Sequence, residues 1–476
     1  MVQILILWFL IATQVAANLP PLPDMGAASD AVISPAEERR LGQAFFRNLH
    51  QHLDISTDPE IQDYIASLGA RLSRSSGAGS RPFHFFVVMQ KEINAFAGPG
   101  GYIGVHSGLI LATRSESELA SVMAHEIAHV TQNHLKRALA AAKRLSLPMA
   151  AAMLAAILIG TQSPQAAQAA LIALQAGSLQ HQINFTRRHE QEADRIGLQI
   201  LADSGFDPQA MPRFFERLHQ STRFAGAHVP EFLRTHPVTS SRIADTRARA
   251  AAFPYHQYAD SFNYLLTKVK LQVLSSDDLA ALRQAFAVQS RQGTRWQRAA
   301  ARYGMALIDL RQNHLASSAR VFASLLARFP DQPRFVHGMA QVESAQGKRS
   351  AALERYRQAL RRFPASSVLR QEYAKALLAS GRFDDARRIL GADIMERGSR
   401  HPILFKYLAQ AYSGLGQQAE ARRYLAEYAY ASGDLDGALR HIRAAVELAR
   451  GDRILSAITR QRLRDLLAEK QAREAR

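Results

Sequence analysis

Apolar positions in the first third of the chain alternate between helical and strand spacing. Residues 36–75 repeat apolar side chains at helical spacing and follow Pro35, which favours the start of a helix. Residues 82–89 are β-branched and aromatic, which is typical of a strand. The segments 93–97 and 102–106, joined by a Gly-Pro-Gly-Gly turn, predict two further strands. This part of the chain therefore mixes helices with a small sheet.

Two further helical patterns follow the strands. Ser115 and Glu118 have the spacing of a capping box and precede an apolar stripe, which predicts a helix start. Residues 145–186 contain no Lys, Arg, Asp or Glu, and they include apolar segments at 145–160 and 166–179. These segments predict a helical hairpin that either packs in the core or touches a membrane. Their modest length and many alanines favour the core.

From about residue 260 the pattern repeats with a period near 34 residues. Gly347, Gly381 and Gly416 lie 34 and 35 residues apart, and Asn313 lies another 34 residues earlier. An alanine follows each of these glycines by five positions. This period is typical of tetratricopeptide helix-turn-helix repeats, which stack into a superhelix because one hairpin cannot bury its own apolar face. The sequence therefore predicts an all-α repeat domain at 260–476.

The first residues have the pattern of a secretory signal peptide. Residues 4–12 are almost wholly apolar, and the small residues at 15–17 provide a cleavage site after Ala17. No Lys or Arg precedes the apolar run, so an N-terminal membrane anchor stays an alternative. Export is the favoured interpretation. It assigns residues 1–17 to the signal peptide and residues 18–255 to a first domain.

Charge and cysteine content restrict the partners and the chemistry. The net charge of +18 divides into +2 for residues 1–250 and +16 for residues 251–476. Such a field attracts anionic lipids, lipopolysaccharide or acidic polypeptide, although a solvated basic surface is an equal alternative. No nucleic-acid-binding motif accompanies the charge, so no nucleic-acid partner is expected. The chain has no cysteine, which excludes thiolate metal sites and disulfide frameworks.

The helix predicted after Ser115 carries the motif HEIAH, in which His125 and His129 flank Glu126 and two apolar residues. Histidines four residues apart on a helix point the same way, so two imidazoles can share one metal ion. The glutamate between them can reach a water on that metal. A third ligand is still needed, and Glu190 is the candidate, with Asp194 one turn later able to reach a ligand histidine.

Two nearby residues are not expected to bind the metal. His134 lies five residues past His129, whereas a metzincin requires its third histidine six residues past, with a glycine between. Glu192 is rotated about 200° from Glu190 on a helix and cannot share the same ion. His134 is therefore interpreted as a surface or core histidine.

The two motifs together resemble a zinc metallopeptidase family that includes HtpX, the CAAX prenyl endopeptidases and the mitochondrial Oma-type proteases. The closer resemblance is to the periplasmic β-barrel assembly-enhancing proteases of this family, which also join a signal peptide, this catalytic domain and tetratricopeptide repeats. The segments that carry the resemblance are PFHFF at 82–86, EINAFA at 92–97, LASVMAHEIAHVTQ at 119–132, EQEADRIG at 190–197, SGFDPQAMP at 204–212 and THPVTSSR at 235–242. Over the repeats the resemblance is architectural only.

The resemblance implies one zinc ion per chain, held by His125, His129 and Glu190 in a gluzincin-like domain, with Glu126 as the general base. It also places His236 near the metal. There the histidine would act as a fourth ligand that holds the enzyme off, or as a stabiliser of the oxyanion. These two roles compete and stay open, and a histidine that caps a loop is a further alternative.

The resemblance also implies a substrate-binding strand and a supporting cation. Asn94, Ala95 and Phe96 resemble the edge strand that pairs with an extended substrate, and an internal strand is the alternative. Arg242 is expected to support the region of the metal, with an exposed arginine as the equal alternative.

The function implied is that of an exported, periplasmic zinc endopeptidase in outer-membrane protein quality control. It would degrade misassembled β-barrel proteins and assist slow ones. The repeats would recruit barrel precursors and the β-barrel assembly machinery, with the lipopolysaccharide translocon and a peripheral membrane contact as further candidates. The alternative is a repeat-based periplasmic chaperone or scaffold with little proteolysis.

Overall fold

The computed structural model describes residues 33–141, 187–224, 230–397 and 402–474. The predicted signal peptide and the apolar segments 145–160 and 166–179 lie outside the described residues. Within the described ranges, no helix has both the length and the apolarity that crossing a membrane requires.

A three-stranded sheet supports the first part of the chain. Its strands are β1 (His84–Val88), β2 (Ala95–Ala97) and β3 (Tyr102–His106). Strand β3 lies in the middle, parallel to β1 and antiparallel to β2, so that β2 is an edge strand. The third strand has its predicted bounds, whereas the first two are shorter than predicted. Asn94 lies just outside β2, and the neighbouring Ile93 carbonyl accepts the Phe232 amide at 3.0 Å.

Helices cover this sheet, and the pattern at residues 36–75 is confirmed as two of them. They are α1 (Pro35–His52), α2 (Pro59–Arg74), α3 (Ser107–Ala112), α4 (Glu116–Thr131), α5 (His134–Ala141), α6 (Arg187–Asp203), α7 (Ala210–Phe224), α8 (Glu231–Thr235) and α9 (Ser240–Ala250). One apolar core joins α2, the sheet, α4, α6 and α7. Both α1 and α2 begin with proline after a side-chain cap, from Ser34 and Asp58 respectively.

The start of α4 differs in one respect from the predicted capping box. Ser115 Oγ accepts the Glu118 amide at 3.3 Å, as predicted. The Glu118 carboxylate does not return to Ser115; it accepts from the Arg114 amide at 2.6 Å and from Arg217 Nη2 at 2.7 Å. The Glu118 carboxylate therefore binds Arg217 and the Arg114 amide instead of the Ser115 amide that a capping box requires.

Residues after 260 fold into the predicted helical repeats. The helices are α10 (Phe262–Ser275), α11 (Leu279–Gln289), α12 (Arg295–Arg311), α13 (Leu315–Arg328), α14 (Pro333–Ala345), α15 (Arg349–Arg362), α16 (Ser367–Ala379), α17 (Phe383–Arg397), α18 (Pro402–Gly414), α19 (Gln418–Ala431), α20 (Leu435–Leu448) and α21 (Arg453–Glu474). Asn313, Gly347, Gly381 and Gly416 each sit between two helices with a φ from 61° to 79°. Glycine adopts this left-handed conformation without strain, which explains the period of 34 residues.

A buried charge cluster joins the repeats to the first part of the chain. Glu60, in the first turn of α2, is 1% exposed. Lys270 Nζ and the Tyr303 hydroxyl donate to Glu60 Oε2 at 2.8 and 3.1 Å, and Arg334 Nη2 donates to its carbonyl at 3.0 Å. Burial alone would raise the pKa of Glu60, but the nearby charges of Lys270, His337 and Arg334 together outweigh it and lower the pKa to about 2. Helices α10 and α12 are thus bound to the carboxylate of Glu60, and α14 is bound to its backbone carbonyl.

Two further contacts tie the chain together. At the start of α4, Asp260 Oδ1 accepts the Glu116 amide at 2.7 Å, while Ser261 donates its amide to Glu116 Oε2 at 2.9 Å. At the far end of the repeats, Arg47 of α1 lies 3.0 Å from Glu469 Oε1 of α21. The repeats therefore contact the first part of the chain at both of their ends.

Replacing Glu60 with Gln should lower the free energy of unfolding of the whole chain. Breaking a buried ion pair costs about 3–5 kcal/mol. Asp58 Oδ2 lies 2.6 Å from Lys270 Nζ and remains as a second anion, so we expect a loss toward the lower end of this range. Denaturant unfolding followed by far-ultraviolet circular dichroism measures the change. Glu354→Gln is the matched control, since Glu354 forms an exposed pair with Arg357 at 2.6 Å, and it should change stability little. Equal losses in the two variants would contradict the role of Glu60.

The stabilisation by Glu60 should also depend on acid pH. The pKa of Glu60 falls from 4.5 to about 2 in the folded chain, so its contribution is complete above pH 4.5 and is lost as the pH falls toward 2. The difference in stability between the parent and Glu60→Gln should therefore shrink over this interval. A difference that stays constant from pH 5 to pH 2 would show that another group accounts for it.

Candidate metal centre

Helix α4 is enclosed on all sides. Every residue from Glu116 to Val130 is buried, including the whole motif. Helix α6 packs directly against α4, and Gly197 makes this approach possible. A Cβ added at Gly197 would lie 3.0 and 3.1 Å from the backbone nitrogen and Cα of His125. The absence of a side chain there brings the first turn of α6 beside the motif.

Four buried side chains converge between these helices and the loop after α8. His125, His129, Glu190 and His236 offer ligand atoms that lie within 4.8 Å of one another. The Nε2 atoms of His125 and His129 are 2.9 Å apart, and the Glu190 oxygens lie 3.5 and 3.4 Å from them. His236 Nδ1 lies 3.1 Å from Glu190 and 3.4 Å from His125. Ligands about 2.0–2.1 Å from a tetrahedral ion are about 3.3–3.4 Å apart, so this set fits one zinc-sized ion.

Glu126 faces the same cluster but differs from it in its hydrogen bonding. No group in the described chain has hydrogen-bond geometry to either of its buried oxygens. The Ala97 amide is near enough to favour the charged form, and His236 Nε2 lies 3.4 Å from Oε1. Burial nevertheless raises the pKa of Glu126, against the charges of His236 and His125. A carboxylate in this state is suited to accept a proton from a water held at the cluster.

Asp194 lies behind His125 rather than at the centre. Its Oδ1 is 3.0 Å from His125 Nδ1, and Arg242 donates to both of its oxygens at 2.7 Å. Arg242 is 3% exposed and also lies 2.9 Å from Glu190, so the interpretation as an exposed arginine is wrong. Burial opposes a charge on His125, but hydrogen bonds to Asp194 and Glu190 raise its pKa to about 9.

Burial lowers the pKa of His129 well below its usual range, so its ring keeps a nitrogen lone pair for a metal. Two residues outside the metal cluster, His134 and Glu192, lie beside this histidine. The Nδ1 atom of His134 is 2.8 Å from His129 Nδ1, and Glu192 lies on the other side of His134. As predicted, neither His134 nor Glu192 belongs to the cluster. The sequence feature that could have indicated the contact between His129 and His134 is Asn133. Asparagine tolerates the left-handed turn (φ 54°) that brings α5 back over the site.

The predicted substrate strand lies next to Glu126 with one edge unpaired by the sheet. The Asn94 carbonyl accepts the His106 amide at 3.0 Å, and Gly98 donates to the Tyr102 carbonyl at 2.7 Å. Because pairing alternates along an antiparallel strand, the amide and carbonyl groups of Ala95 and Ala97 point away from β3. Among the described residues β2 thus lies at the edge of the sheet, and its role in binding substrate stays a prediction.

An apolar cleft opens beside this edge. It is lined mainly by Ile33, Leu41, Ala97, Pro99, Val130 and Leu135, and His129 also borders it. An ion pair between Lys136 and Glu38, at 2.8 Å, also borders it. The cleft thus connects the metal cluster, the edge strand and a mostly apolar surface.

Comparisons with known proteins agree with this two-part organisation. Residues 59–250 match the profile described as Peptidase family M48, and residues 269–441 match the profile described as Tetratricopeptide repeat. The β-barrel assembly-enhancing protease of Escherichia coli K12 is 37% identical over 80% of this chain and 78% of its own. A putative protease of the same name from Vibrio cholerae is 35% identical over 85% and 84%. The mitochondrial metalloendopeptidase OMA1 of Schizosaccharomyces pombe is 30% identical over 43% and 59%.

Replacing Arg242 with Ala should weaken zinc binding, because Asp194 would lose the cation that holds it against His125. Loss of such an outer partner typically costs about 10–100-fold in metal affinity. Competition with a chromogenic chelator measures the dissociation constant. Arg249→Ala on the same helix is the matched control, because Arg249 is exposed and pairs only locally with Asp245 at 2.8 Å. If both variants bound zinc as the parent does, Arg242 would have no supporting role.

Proposed function

The chain belongs to the family of the β-barrel assembly-enhancing proteases, and on this basis we propose that it is a periplasmic zinc endopeptidase of outer-membrane protein quality control. Family membership makes it a metalloprotease with tetratricopeptide repeats. The single observation that carries the proposal is the convergence of His125, His129, Glu190 and His236, with Glu126 beside them.

The donor set supports zinc as the metal. Two or three imidazoles and a carboxylate, arranged tetrahedrally, suit a zinc ion, and the absence of cysteine makes imidazole and carboxylate the available ligands. We assign His125, His129 and Glu190 as the ligands. A bound zinc ion would supply Lewis acidity toward a water and a peptide carbonyl.

Glu126 would move the proton. Its buried carboxylate, with its raised pKa, can take a proton from the attacking water and later deliver it to the leaving amine. His236 faces Glu190 with one ring nitrogen and Glu126 with the other. In that orientation it would occupy the fourth position and hold the enzyme off. The competing role is that the ring turns away and donates to the oxyanion.

The substrate would bind as an added strand. An extended chain can pair with the outward amide and carbonyl groups of Ala95 and with the carbonyl of Ala97, beside the apolar cleft. Misassembled β-barrel proteins are suited to this mode, because their unpaired strands offer both backbone groups and alternating apolar side chains. The cleft favours an apolar side chain beside the bond that is cut.

The repeats would bring such substrates to the site. Residues 251–476 carry +16 of the net charge, which favours acidic segments of barrel precursors or of the assembly machinery. The lipopolysaccharide translocon remains a further candidate. The second proposed function is a scaffold with little proteolysis. It is supported by His236, which offers a fourth ligand atom in the metal cluster and would then exclude the water.

Glu126→Gln should abolish cleavage while zinc stays bound, because the ligands are untouched and only the proton acceptor is lost. General-base loss typically costs about 10²–10⁴-fold in rate. Cleavage of an unfolded outer-membrane β-barrel protein, followed by gel electrophoresis, measures the rate, and elemental analysis measures the zinc. Glu447→Gln, at an exposed position of α20, is the control and should cleave at the parental rate. Full cleavage by Glu126→Gln would refute the assignment.

The same variant separates the two proposed functions. In a strain that lacks its own enzyme of this family, the protease proposal expects Glu126→Gln to leave the outer-membrane assembly defect uncorrected. Complete correction by the cleavage-dead chain would favour the scaffold instead.

A further inference from the structure

Each of the two motif histidines has a second ring nitrogen on the side away from the metal cluster. The Nδ1 atom of His125 lies 3.0 Å from Asp194, a carboxylate that Arg242 holds at 2.7 Å. The Nδ1 atom of His129 has no carboxylate beside it among the groups described. It lies 2.8 Å from the Nδ1 atom of His134 instead. The two ligands are therefore supported in different ways.

The ring of His134 is connected in turn to a carboxylate. Its Nε2 atom lies 3.1 Å from Glu192 Oε2, and Arg137 Nη2 donates to the same oxygen at 3.1 Å. His134 is fully buried, and its ring stacks on that of His189 with centroids 4.4 Å apart. A continuous series of contacts thus runs from the centre of the site toward the surface, through His129, His134, Glu192 and Arg137.

The chain turn that places His134 here is also held in position. Asn133 ends α4 with a φ of 54°, so α5 starts by folding back over His129. Arg81 Nη2 donates to Asn133 Oδ1 at 2.7 Å and fixes this turn. Glu192 follows Glu190 by two positions on α6, which points it away from the cluster and toward His134.

Only one arrangement of protons satisfies these contacts while His129 binds a metal. The Nε2 atom of His129 must present its lone pair to the metal, so the ring proton is on Nδ1. That proton is donated to His134 Nδ1, which must then be an unprotonated acceptor. The remaining proton of His134 is on Nε2 and is donated to Glu192. Each hydrogen bond therefore fixes the tautomer of the next ring.

We propose that His134 and Glu192 are positioning residues that hold His129 in the tautomer and orientation required for metal binding. This proposal rests on the zinc centre proposed above. His134 does for His129 what Asp194 does for His125, but it transfers the influence of a carboxylate through a second imidazole. The ion pairs of Arg137 with Glu192 and of Arg242 with Asp194 complete the correspondence.

The test is the zinc dissociation constant of the full-length chain, measured by chelator competition. His134→Ala should weaken zinc binding by about 10–100-fold, the usual effect of losing an outer partner of a ligand. His134→Asn should recover most of the affinity, because its amide oxygen can accept the His129 proton near the position of the lost Nδ1. Glu192→Gln keeps an acceptor but loses the charge, and it should fall between these two variants.

The control and a second readout separate positioning from a general loss of stability. His337→Ala removes a buried histidine of the repeats whose Nδ1 lies 2.7 Å from the Tyr356 hydroxyl. It should lower the thermal midpoint but leave zinc affinity unchanged. In the cobalt-substituted chain, the visible absorption bands should shift in His134→Ala, return toward the parent in His134→Asn and stay parental in His337→Ala.

The outcomes distinguish the two levels of the argument. If the parent failed to bind zinc, the proposed centre would fall and this inference with it. If the parent bound zinc and His134→Ala bound it equally tightly, the inference alone would be overturned. If His134→Ala does not fold, the test is made with Glu192→Gln instead, because Glu192 is partly exposed. Weaker zinc binding by this folded variant would support the inference, and binding as tight as that of the parent would overturn it.

Discussion

The helix that carries the motif is buried, and its buried polar side chains determine which groups must lie around it. A polar atom enclosed in protein must find a partner or destabilise the fold. His125 therefore requires Asp194, and Asp194 requires Arg242. On the other side His129 contacts His134, and that line of partners ends at Arg137, whose side chain is 41% exposed. The geometry of the site is thus fixed by the need to satisfy buried groups.

Local signals made much of this molecule predictable. The motif spacing and the separation of Glu190 from Asp194 follow from helix geometry alone. The repeat period follows from backbone conformation, because Gly347 and its counterparts occupy left-handed turns. Such constraints act within a few residues, so they can be recognised from the sequence. They account for the mainly helical α+β class, the tetratricopeptide repeats and the metalloprotease assignment.

The parts that were missed depend on distant segments. Glu118 has the spacing of a capping box, but Arg217, far along the chain, takes its carboxylate. The Ile93 carbonyl, just before the second strand, accepts the amide of Phe232 from a distant segment. Arg242 is buried, and His134 acquires a partner, only after separate helices pack together. Spacing along one element carries no information about such pairs.

The contact at Glu116 changes how the two halves of the chain should be regarded. Its amide and carboxylate are hydrogen-bonded to Asp260 and Ser261, at the entry to the repeats, and the same helix carries the HEIAH motif. A polypeptide cut near residue 255 would leave Glu116 without these partners and Glu60 without Lys270. Removing the repeats would therefore take away partners of α2 and α4 in the first part of the chain, in addition to the surface of the repeats themselves.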